Sequence, residues 1–362
     1  MLCFPEIRSV LTEKMFIPVE KLCNENYTCY MPMDSPEKIH NAIHAARMYY
    51  YQNKTTEAIA REMYISRSSV SRLIAFARDR GFVTIRIIDV DDQASELAKA
   101  IYAKYHQIKK IHIVPVSQML GESEWLEAVA QYTANYLNTI FDSNMILGVA
   151  WGATINAISR FLTPKATHNS HIVQLNGAGN TRSMGIEYAS EIIMRFGHAY
   201  QASVELFPVP TFFDYSSTKE SLWKERSIKR ILELQEASDL LLHSIGAVSS
   251  GVPSHVYSGG FLETKDYQEL RRLNIAGDIA TVFFRQDGSF DNIPLNLRAS
   301  GPNLNLIKQK RALCVVSGLG KTAGLHAALL GGLIKELIVD EPTARMLVNE
   351  YISTRKESYF NE

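Results

Sequence analysis

The 362-residue sequence has no net charge, few cysteines and no long hydrophobic run. Its 38 basic and 38 acidic residues cancel, and four cysteines in this length do not make a disulfide framework. The longest apolar runs, such as 145–152, fall far short of the roughly 18–20 residues that a membrane span needs. The first residues lack the basic start and apolar run of a secretion signal. We therefore expect a protein of the reducing cytoplasm without a membrane partner.

Catalytic and metal-binding motifs are equally scarce. The spacings G-x-S-x-G and H-E-x-x-H do not occur, and the cysteines and histidines are not grouped as zinc ligands. The segment 317–329 resembles the end of a Walker A loop, but Val315 stands where that loop needs its first glycine. The spacing of its glycines and of Asp340 also resembles the dinucleotide-binding fingerprint. A nucleotide-binding fold needs further strands after that acid, and few residues of the sequence remain to form them. We expect no cofactor and no metal, with a nicotinamide-dependent oxidoreductase as an alternative.

Zero net charge hides an uneven distribution along the chain. Residues 35–90 carry nine Lys and Arg against five Asp and Glu, whereas 1–34 and 91–362 each hold two more acids than bases. A local basic surplus attracts the phosphates of nucleic acids. The neutral total therefore does not exclude a nucleic-acid partner for the segment 35–90.

The hydrophobic pattern changes along the chain. It is irregular at first, becomes helical from Ser35, and from about residue 109 consists of short β-branched runs that alternate with amphipathic segments. Such alternation is typical of a mostly parallel sheet with helices on both faces. The expected strands lie within 111–116, 145–151, 171–177, 240–246, 280–284, 312–318 and 336–340. The expected helices between them lie within 123–141, 186–196, 221–236, 264–273 and 322–330.

Residues 56–74, TEAIAREMYISRSSVSRLI, have the apolar spacing of a helix-turn-helix, although Tyr64 stands at a turn position that is often glycine. The second helix, starting near Ser66, would enter the major groove, where arginine reads guanine and serine contacts bases or phosphates. Residues 81–89 resemble a β-wing. The alternative is an ordinary helical hairpin with a solvated Ser/Arg face. The candidate DNA-contacting residues are Thr56, Ser66, Arg67, Ser68, Ser69, Ser71, Arg72 and Arg78.

Three of the expected strands end in glycine-rich turns, WGAT (151–154), NGAGN (176–180) and SGLGK (317–321). Ligands of parallel α/β folds bind at the carboxyl ends of the strands. A glycine turn that opens a helix exposes backbone N–H groups, and Lys321 adds a positive charge, so these turns suit an anion. Each alone is also compatible with an empty tight turn, whereas three together indicate a shared pocket.

With both halves in view, the chain resembles the SorC family of sugar-binding transcriptional regulators from about residue 37 to 352. The motifs that carry the resemblance occur in order: ILGVAWGATI (146–155), VQLNGAGN (173–180), FPVPTFFD (207–214), AGDIATVFFRQDG (276–288) and SGLGKTAGLHAALLGGLIKELIVDEPTARML (317–347). The resemblance implies a helix-turn-helix before an effector domain related in fold to sugar-phosphate isomerases. It also implies that effector binding changes the grip of an oligomer on its operator.

The resemblance implies roles for the matching positions. The WGAT turn and Lys321 would hold a polar or anionic end of the ligand, Asp278 would bind sugar hydroxyls, and Arg298 would lie near the ligand or a subunit contact. Asn176 stands where some relatives with phosphosugar effectors carry a basic residue, so a sugar, a polyol and a sugar phosphate all stay open. The implied effector-binding residues are Gly152, Ala153, Thr154, Asn176, Gly177, Gly179, Asn180, Arg182, Asp278, Arg298 and Lys321.

We therefore expect a winged helix-turn-helix followed by a Rossmann-like, mostly parallel α/β effector domain. The partners would be operator DNA, a sugar, polyol or sugar-phosphate effector, and further copies of the chain in a dimer or tetramer. The alternative is an isomerase-like enzyme in which Asp278 or Glu187 works beside Lys321. The expected parts are a poorly ordered leader (1–34), the winged helix-turn-helix (35–90), a linker helix (91–108), the effector and oligomerisation domain (109–352) and a tail (353–362).

Overall fold

The computed structural model falls into two compact units, Met1–Ile85 and Arg86–Glu362. It describes residues 35–52, 54–83, 92–180, 186–247 and 254–353. The expected leader, Arg182, residues 84–89 of the expected wing and all but the first residue of the expected tail lie outside the described residues. Within the described part, no helix is both long and apolar enough to cross a bilayer.

The described part of the first unit consists of three helices. They are α1 (Pro36–Tyr50), α2 (Thr56–Glu62) and α3 (Arg67–Asp79). Each begins after a residue whose hydroxyl accepts a backbone N–H of the first turn, namely Ser35, Thr55 and Ser66. The helices pack around a small core of Ala45, Met48, Ile59, Val70 and Ile74. The sequence pattern predicts a first helix over Thr56–Tyr64, a turn through Ile65 and a second helix from near Ser66. In the structure α2 ends two residues earlier, at Glu62, and α3 begins after Ser66 as expected.

The second unit is built on a seven-stranded parallel sheet. The strands of this unit, in chain order, are β1 (Lys110–Val114), β2 (Ile146–Val149), β3 (His171–Gln174), β4 (Ser203–Glu205), β5 (Leu240–Ser244), β6 (Ile275–Ile279), β7 (Val282–Arg285), β8 (Ala312–Val316) and β9 (Glu336–Asp340). The sheet has the order β1-β9-β8-β5-β2-β3-β4, and every neighbouring pair in it is parallel. The expected mostly parallel α/β fold is confirmed.

Helices cover both faces of this sheet. They are α4 (Asp92–Lys104), α5 (Glu122–Ile140), α6 (Ala153–Arg160), α7 (Ile186–Tyr200), α8 (Ser216–Leu222), α9 (Arg226–Ala237), α10 (His255–Ser258), α11 (Thr264–Arg272), α12 (Pro294–Arg298), α13 (Leu304–Gln309), α14 (Thr322–Leu330) and α15 (Glu341–Tyr351). Leu240 and Leu242 belong to one hydrophobic cluster and Leu241 to another, as the alternation of side chains along a strand requires. Leu97 and Ile101 of α4 pack into the second cluster, so this helix is part of the core of its unit.

The strands β6 and β7 form a separate antiparallel hairpin. Residues 280–284, expected to be one of the alternating strands, supply its turn and second strand. Ala280 (φ 46°) and Thr281 (φ 71°) make the two-residue turn. Two backbone hydrogen bonds join Gly246 to Asp278, so the hairpin carries Asp278 to the carboxyl end of β5.

Candidate functional site

A cavity opens at the carboxyl ends of β2, β3 and β5. It encloses about 490 Å³ of space between protein atoms, part of which is open solvent at its mouth. Its polar lining consists of Thr154, Asn176, Ser244, Ser254, Asp278, Thr281 and Lys321. The apolar lining includes Ala150, Trp151, Ile155, Ile245, Val256 and Ala280.

Lys321 supplies a positive charge to this cavity. It follows β8 at the start of α14, and its side chain is buried. Its Nζ donates hydrogen bonds to Thr154 Oγ1 (3.0 Å) and Ser244 Oγ (3.4 Å). Burial lowers the pKa of the lysine to about 8, although neighbouring carboxylates, Asp278 among them, oppose the shift. The lysine is therefore largely protonated at pH 7. Its third N–H group is available to donate a hydrogen bond to a ligand oxygen.

Asp278 supplies the opposite charge. Burial raises the pKa of its carboxyl group to about 6. The N–H of Thr281 donates to Oδ2 (3.0 Å), and this hydrogen bond opposes the shift by lowering the pKa. The other oxygen, Oδ1, makes no hydrogen bond of good geometry among the described residues, although the nearby Tyr257 hydroxyl helps to hold the pKa of the carboxyl group down. Gly246 permits this close packing, because a Cβ at that position would collide with the carboxylate. An acceptor of this kind suits a ligand hydroxyl.

The side-chain amide of Asn176 is unpaired in the same cavity. The residue is 1% exposed, and neither Nδ2 nor Oδ1 has a hydrogen-bond partner within the described part of the chain. Its backbone oxygen, by contrast, accepts hydrogen bonds from Trp151 Nε1 (3.0 Å) and Gln174 Nε2 (2.7 Å), which fix the residue in place. Buried amides are usually paired, so this one indicates a site for a polar ligand.

The start of α6 forms a further wall of the cavity. Gly152 has a φ of 146°, a backbone conformation that favours glycine, and it lets the chain turn directly from the end of β2 into the helix. The first N–H groups of a helix lack partners within the helix and attract negative charge. With Lys321 opposite, this end of the cavity suits an anionic or strongly polar group.

The structure brings six of the eleven expected effector-binding residues to the cavity. These are Gly152, Ala153, Thr154, Asn176, Asp278 and Lys321. Four of the others make structural contacts outside its lining. Gly177 packs against the backbone of Val209, and its N–H donates to Ser300 Oγ (2.9 Å). Gly179 pairs with the backbone of Pro210 and Thr211.

Asn180 and Arg298 are engaged elsewhere. The side-chain Nδ2 of Asn180 donates to the backbone oxygen of Gly259 (3.2 Å). Arg298 forms an ion pair with buried Asp266 (2.7 Å) and donates to the backbone oxygen of Phe213 (3.0 Å). Both residues therefore make structural contacts outside the cavity lining.

Several cavity residues escaped the sequence analysis. Ser244 is the last residue of β5 and Gly246 lies two residues beyond it, so the rule that ligands bind at strand ends would have found both. Thr281 enters only through the hairpin turn, and Ser254 through a loop, for which the sequence gives no comparable signal. The turn itself contains neither Asn nor Gly, the residues that usually mark a two-residue hairpin.

The expected dinucleotide acid has a structural role. Asp340 Oδ2 accepts the N–H of Gly318 (3.0 Å), and Oδ1 accepts the N–H of Thr343 (2.7 Å) at the start of α15. Both oxygens are thus used to fix the glycine turn and to cap a helix. This arrangement argues against the ribose-binding role that the nicotinamide alternative requires.

In the first unit, the expected DNA-contacting residues lie at the start of α2 and along α3. Ser66 Oγ accepts the N–H of Ser69 (3.1 Å) and lies 2.8 Å from Ser69 Oγ. Arg67 forms an exposed ion pair with Glu57 (2.9 Å). Most of the set is exposed, while Thr56 and Ser69 are half-buried. The exposed members are Ser66, Arg67, Ser68, Ser71, Arg72 and Arg78.

Comparison with known proteins identifies the family. The model of the family described as "Putative sugar-binding domain" matches residues 92–349. The deoxyribonucleoside regulator of Bacillus subtilis is 31% identical over 317 residues, which cover 87% of this chain and 99% of that protein.

Solved structures agree. A domain of a possible sugar-binding transcriptional regulator from Arthrobacter aurescens is 48% identical (TM-score 0.66) and covers 72% of this chain and 100% of that one. Full-length sorbitol operon regulator SorC from Klebsiella pneumoniae has the same fold at 22% identity (TM-score 0.63), over 86% of this chain and 99% of that one. The chain therefore belongs to the SorC family of sugar-binding transcriptional regulators.

Proposed function

We propose that this chain binds operator DNA through α3 and that a sugar, polyol or sugar phosphate in the cavity controls the affinity. The main support is the set of unpaired polar atoms in the cavity: Asp278 Oδ1 and both amide atoms of Asn176. A ligand rich in hydroxyl groups supplies donors to the carboxylate and both donors and acceptors to the amide. The relatives named above are a deoxyribonucleoside regulator and the sorbitol operon regulator, which favours the same ligand class.

The walls of the cavity divide the ligand-binding work. Asp278 and Asn176 would hold hydroxyl groups, and Lys321 with the N-terminus of α6 would hold the polar or anionic end. Trp151 and Val256 would cover the apolar edge of the carbon chain. Phosphate is compatible with Lys321, but the lysine and Asp278 together leave the described lining with no surplus of positive charge. Comparing the affinities for a sugar and for its phosphate ester determines whether the effector is phosphorylated.

The ligand would act by favouring one arrangement of an oligomer over another. A ligand that binds two arrangements equally does not shift the equilibrium between them, so operator affinity changes only if the cavity differs between the arrangements.

We propose a dimer or tetramer, because helix-turn-helix modules bind paired half-sites and one weakly basic module binds DNA poorly alone. A regulator of this kind works on the chromosome, which places the chain in the cytoplasm.

The assignment of α3 is tested by replacing Arg67 and Arg72 together with alanine. Both side chains are exposed, so the variant should fold normally and keep the thermal shift caused by its sugar ligand. Operator affinity in a gel-shift assay should fall by at least about tenfold, because each arginine supplies phosphate or base contacts. Unchanged operator affinity would show that α3 does not read DNA.

The enzyme alternative retains one supporting observation. Asp278 and Lys321 line the same cavity, and both have pKa values moved toward neutrality, as acid and base catalysts require. We propose that they recognise ligand instead, as expected of a regulator. Turnover assays with pentose and hexose phosphates check this, since interconversion of any of them that is lost in Lys321→Met would establish catalysis.

A further inference from the structure

Tyr64 has an unusual backbone conformation between α2 and α3. Its φ is 55°, and it is the one non-glycine residue with positive φ among the described residues of the first unit. A bulky side chain disfavours this left-handed conformation, which glycine adopts without strain. Met63 and Ile65 on either side pack against the core of the unit and hold the turn in place. The tyrosine is therefore kept where glycine would be more stable.

The side chain of Tyr64 is also fully presented to solvent. It is 95% exposed, the most exposed large hydrophobic side chain of the described part of the first unit. No hydrogen bond, ring contact or cation contact of this side chain occurs within the described part of the chain. An aromatic side chain that adds strain and gains no contact with the described residues indicates a role in binding another molecule.

The position of Tyr64 supplies that reason. It lies two residues before Ser66, the N-cap of α3, and the exposed Arg67 and Ser68 follow at once. The N-terminal end of a recognition helix is the part that enters the major groove, so the residues just before it come close to the groove edge. The sugar-phosphate backbone lines that edge. A phenol can donate to a phosphate oxygen there and pack its ring against a deoxyribose.

We propose that Tyr64 contacts the DNA backbone beside the groove that α3 enters. This inference rests on the proposed DNA-binding role of α3. The contact is to phosphate or sugar, so it adds affinity for DNA of any sequence. Because tyrosine is neutral, the contact releases no counterion and leaves the salt dependence of binding unchanged, unlike a contact from Arg67 or Arg72.

The test compares the full chain with its Tyr64→Gly and Tyr64→Phe variants. The DNA probes are a 40-base-pair duplex selected by the full chain from a random-sequence library and an unselected duplex of the same length. Tyr64→Gly should raise the melting temperature, since it removes strain, and should weaken binding to both duplexes by the same factor, about three- to tenfold. The slope of log affinity against log salt should stay the same. Tyr64→Phe keeps the ring, so its DNA affinity should fall only by the share that the hydroxyl contributes.

Two control variants separate strain from contact. Gln201→Gly relieves another left-handed residue (φ 52°), in the second unit, and should stabilise the protein without changing DNA affinity. Tyr51→Ala removes another exposed tyrosine of the first unit and should leave DNA affinity unchanged. Equal DNA affinity of Tyr64→Gly and the unaltered chain would overturn the inference while leaving the role of α3 intact. If the full chain selects no duplex and binds none, the proposed DNA-binding function itself fails.

Discussion

At the scale of single residues, the cavity contains a carboxylate that costs the protein stability. Asp278 keeps its proton up to about pH 6 in the folded protein, whereas its ordinary pKa is 3.8. The folded state thus binds more protons between these values, so the free energy of unfolding falls as pH rises through that window. Asp278→Asn should therefore raise the free energy of unfolding at pH 7 by about 1–3 kcal/mol. The gain should vanish below about pH 4, and urea unfolding at the two pH values measures it.

Asp266 provides a control of opposite sign. This carboxylate is also buried, but it forms an ion pair with Arg298 at 2.7 Å and accepts the N–H of Glu263. Removing one partner of a buried pair leaves the other charge uncompensated. Asp266→Asn should lower the free energy of unfolding at pH 7. A loss of stability in Asp278→Asn as well would contradict the idea that Asp278 is present for its ligand and not for the fold.

Asn176 gives a second prediction for a single residue. Its amide makes no hydrogen bond within the described part of the chain, so Asn176→Ala should cost little stability. The variant should nevertheless lose at least about tenfold in sugar affinity, because it removes hydrogen bonds to a buried polar ligand. Isothermal titration of the sugar that shifts the melting temperature of the unaltered chain measures this loss. A large loss of stability in Asn176→Ala would instead indicate a structural role.

At the scale of elements, Asp340 connects three parts of the second unit. It ends β9, caps α15 and holds the glycine turn after β8. Asp340→Ala should lower the free energy of unfolding by about 2 kcal/mol, because the buried N–H of Thr343 loses its acceptor and the N–H of Gly318 keeps only Thr343 Oγ1 (3.2 Å). Asp340→Asn retains one acceptor oxygen and should recover part of this. NAD should not raise the melting temperature of the unaltered chain or of these variants. A rise in the unaltered chain that is lost in Asp340→Ala would support the nicotinamide-dependent oxidoreductase hypothesis.

The element scale also shows what could be predicted from the sequence. Short, mostly hydrophobic runs such as 240–246 and 336–340 identified interior strands correctly, because strands buried on both faces are rich in hydrophobic residues. β4 has three residues and no comparable pattern. The hairpin turn at 280–281 contains Ala and Thr, which disfavour positive φ, so only the completed fold explains it. Asp278 was identified through the family resemblance. Its partner Thr281 was missed, because the hairpin turn that brings it to the cavity has no signal in the sequence.

At the scale of the whole molecule, the charge distribution separates two tasks. The segment 35–90 carries the basic surplus, and the remainder of the chain is slightly acidic. Phosphate attraction is thus concentrated in the small helical unit. Operator affinity should be modest for one subunit and should fall steeply with salt, since arginine contacts release counterions. A titration from 50 to 200 mM salt checks this, and affinity that does not change with salt would contradict the role of Arg67 and Arg72.

Ligand binding in the cavity should be coupled to operator binding by α2 and α3. The most direct measurement is the affinity of the full chain for a selected operator duplex, with and without each member of a panel of sugars, polyols and sugar phosphates. One member should change operator affinity by about 5- to 150-fold, the usual range of such coupling. This change should disappear in Asn176→Ala, whose operator affinity without ligand stays normal. Operator affinity that no panel member changes, although one of them binds the cavity, would contradict the account.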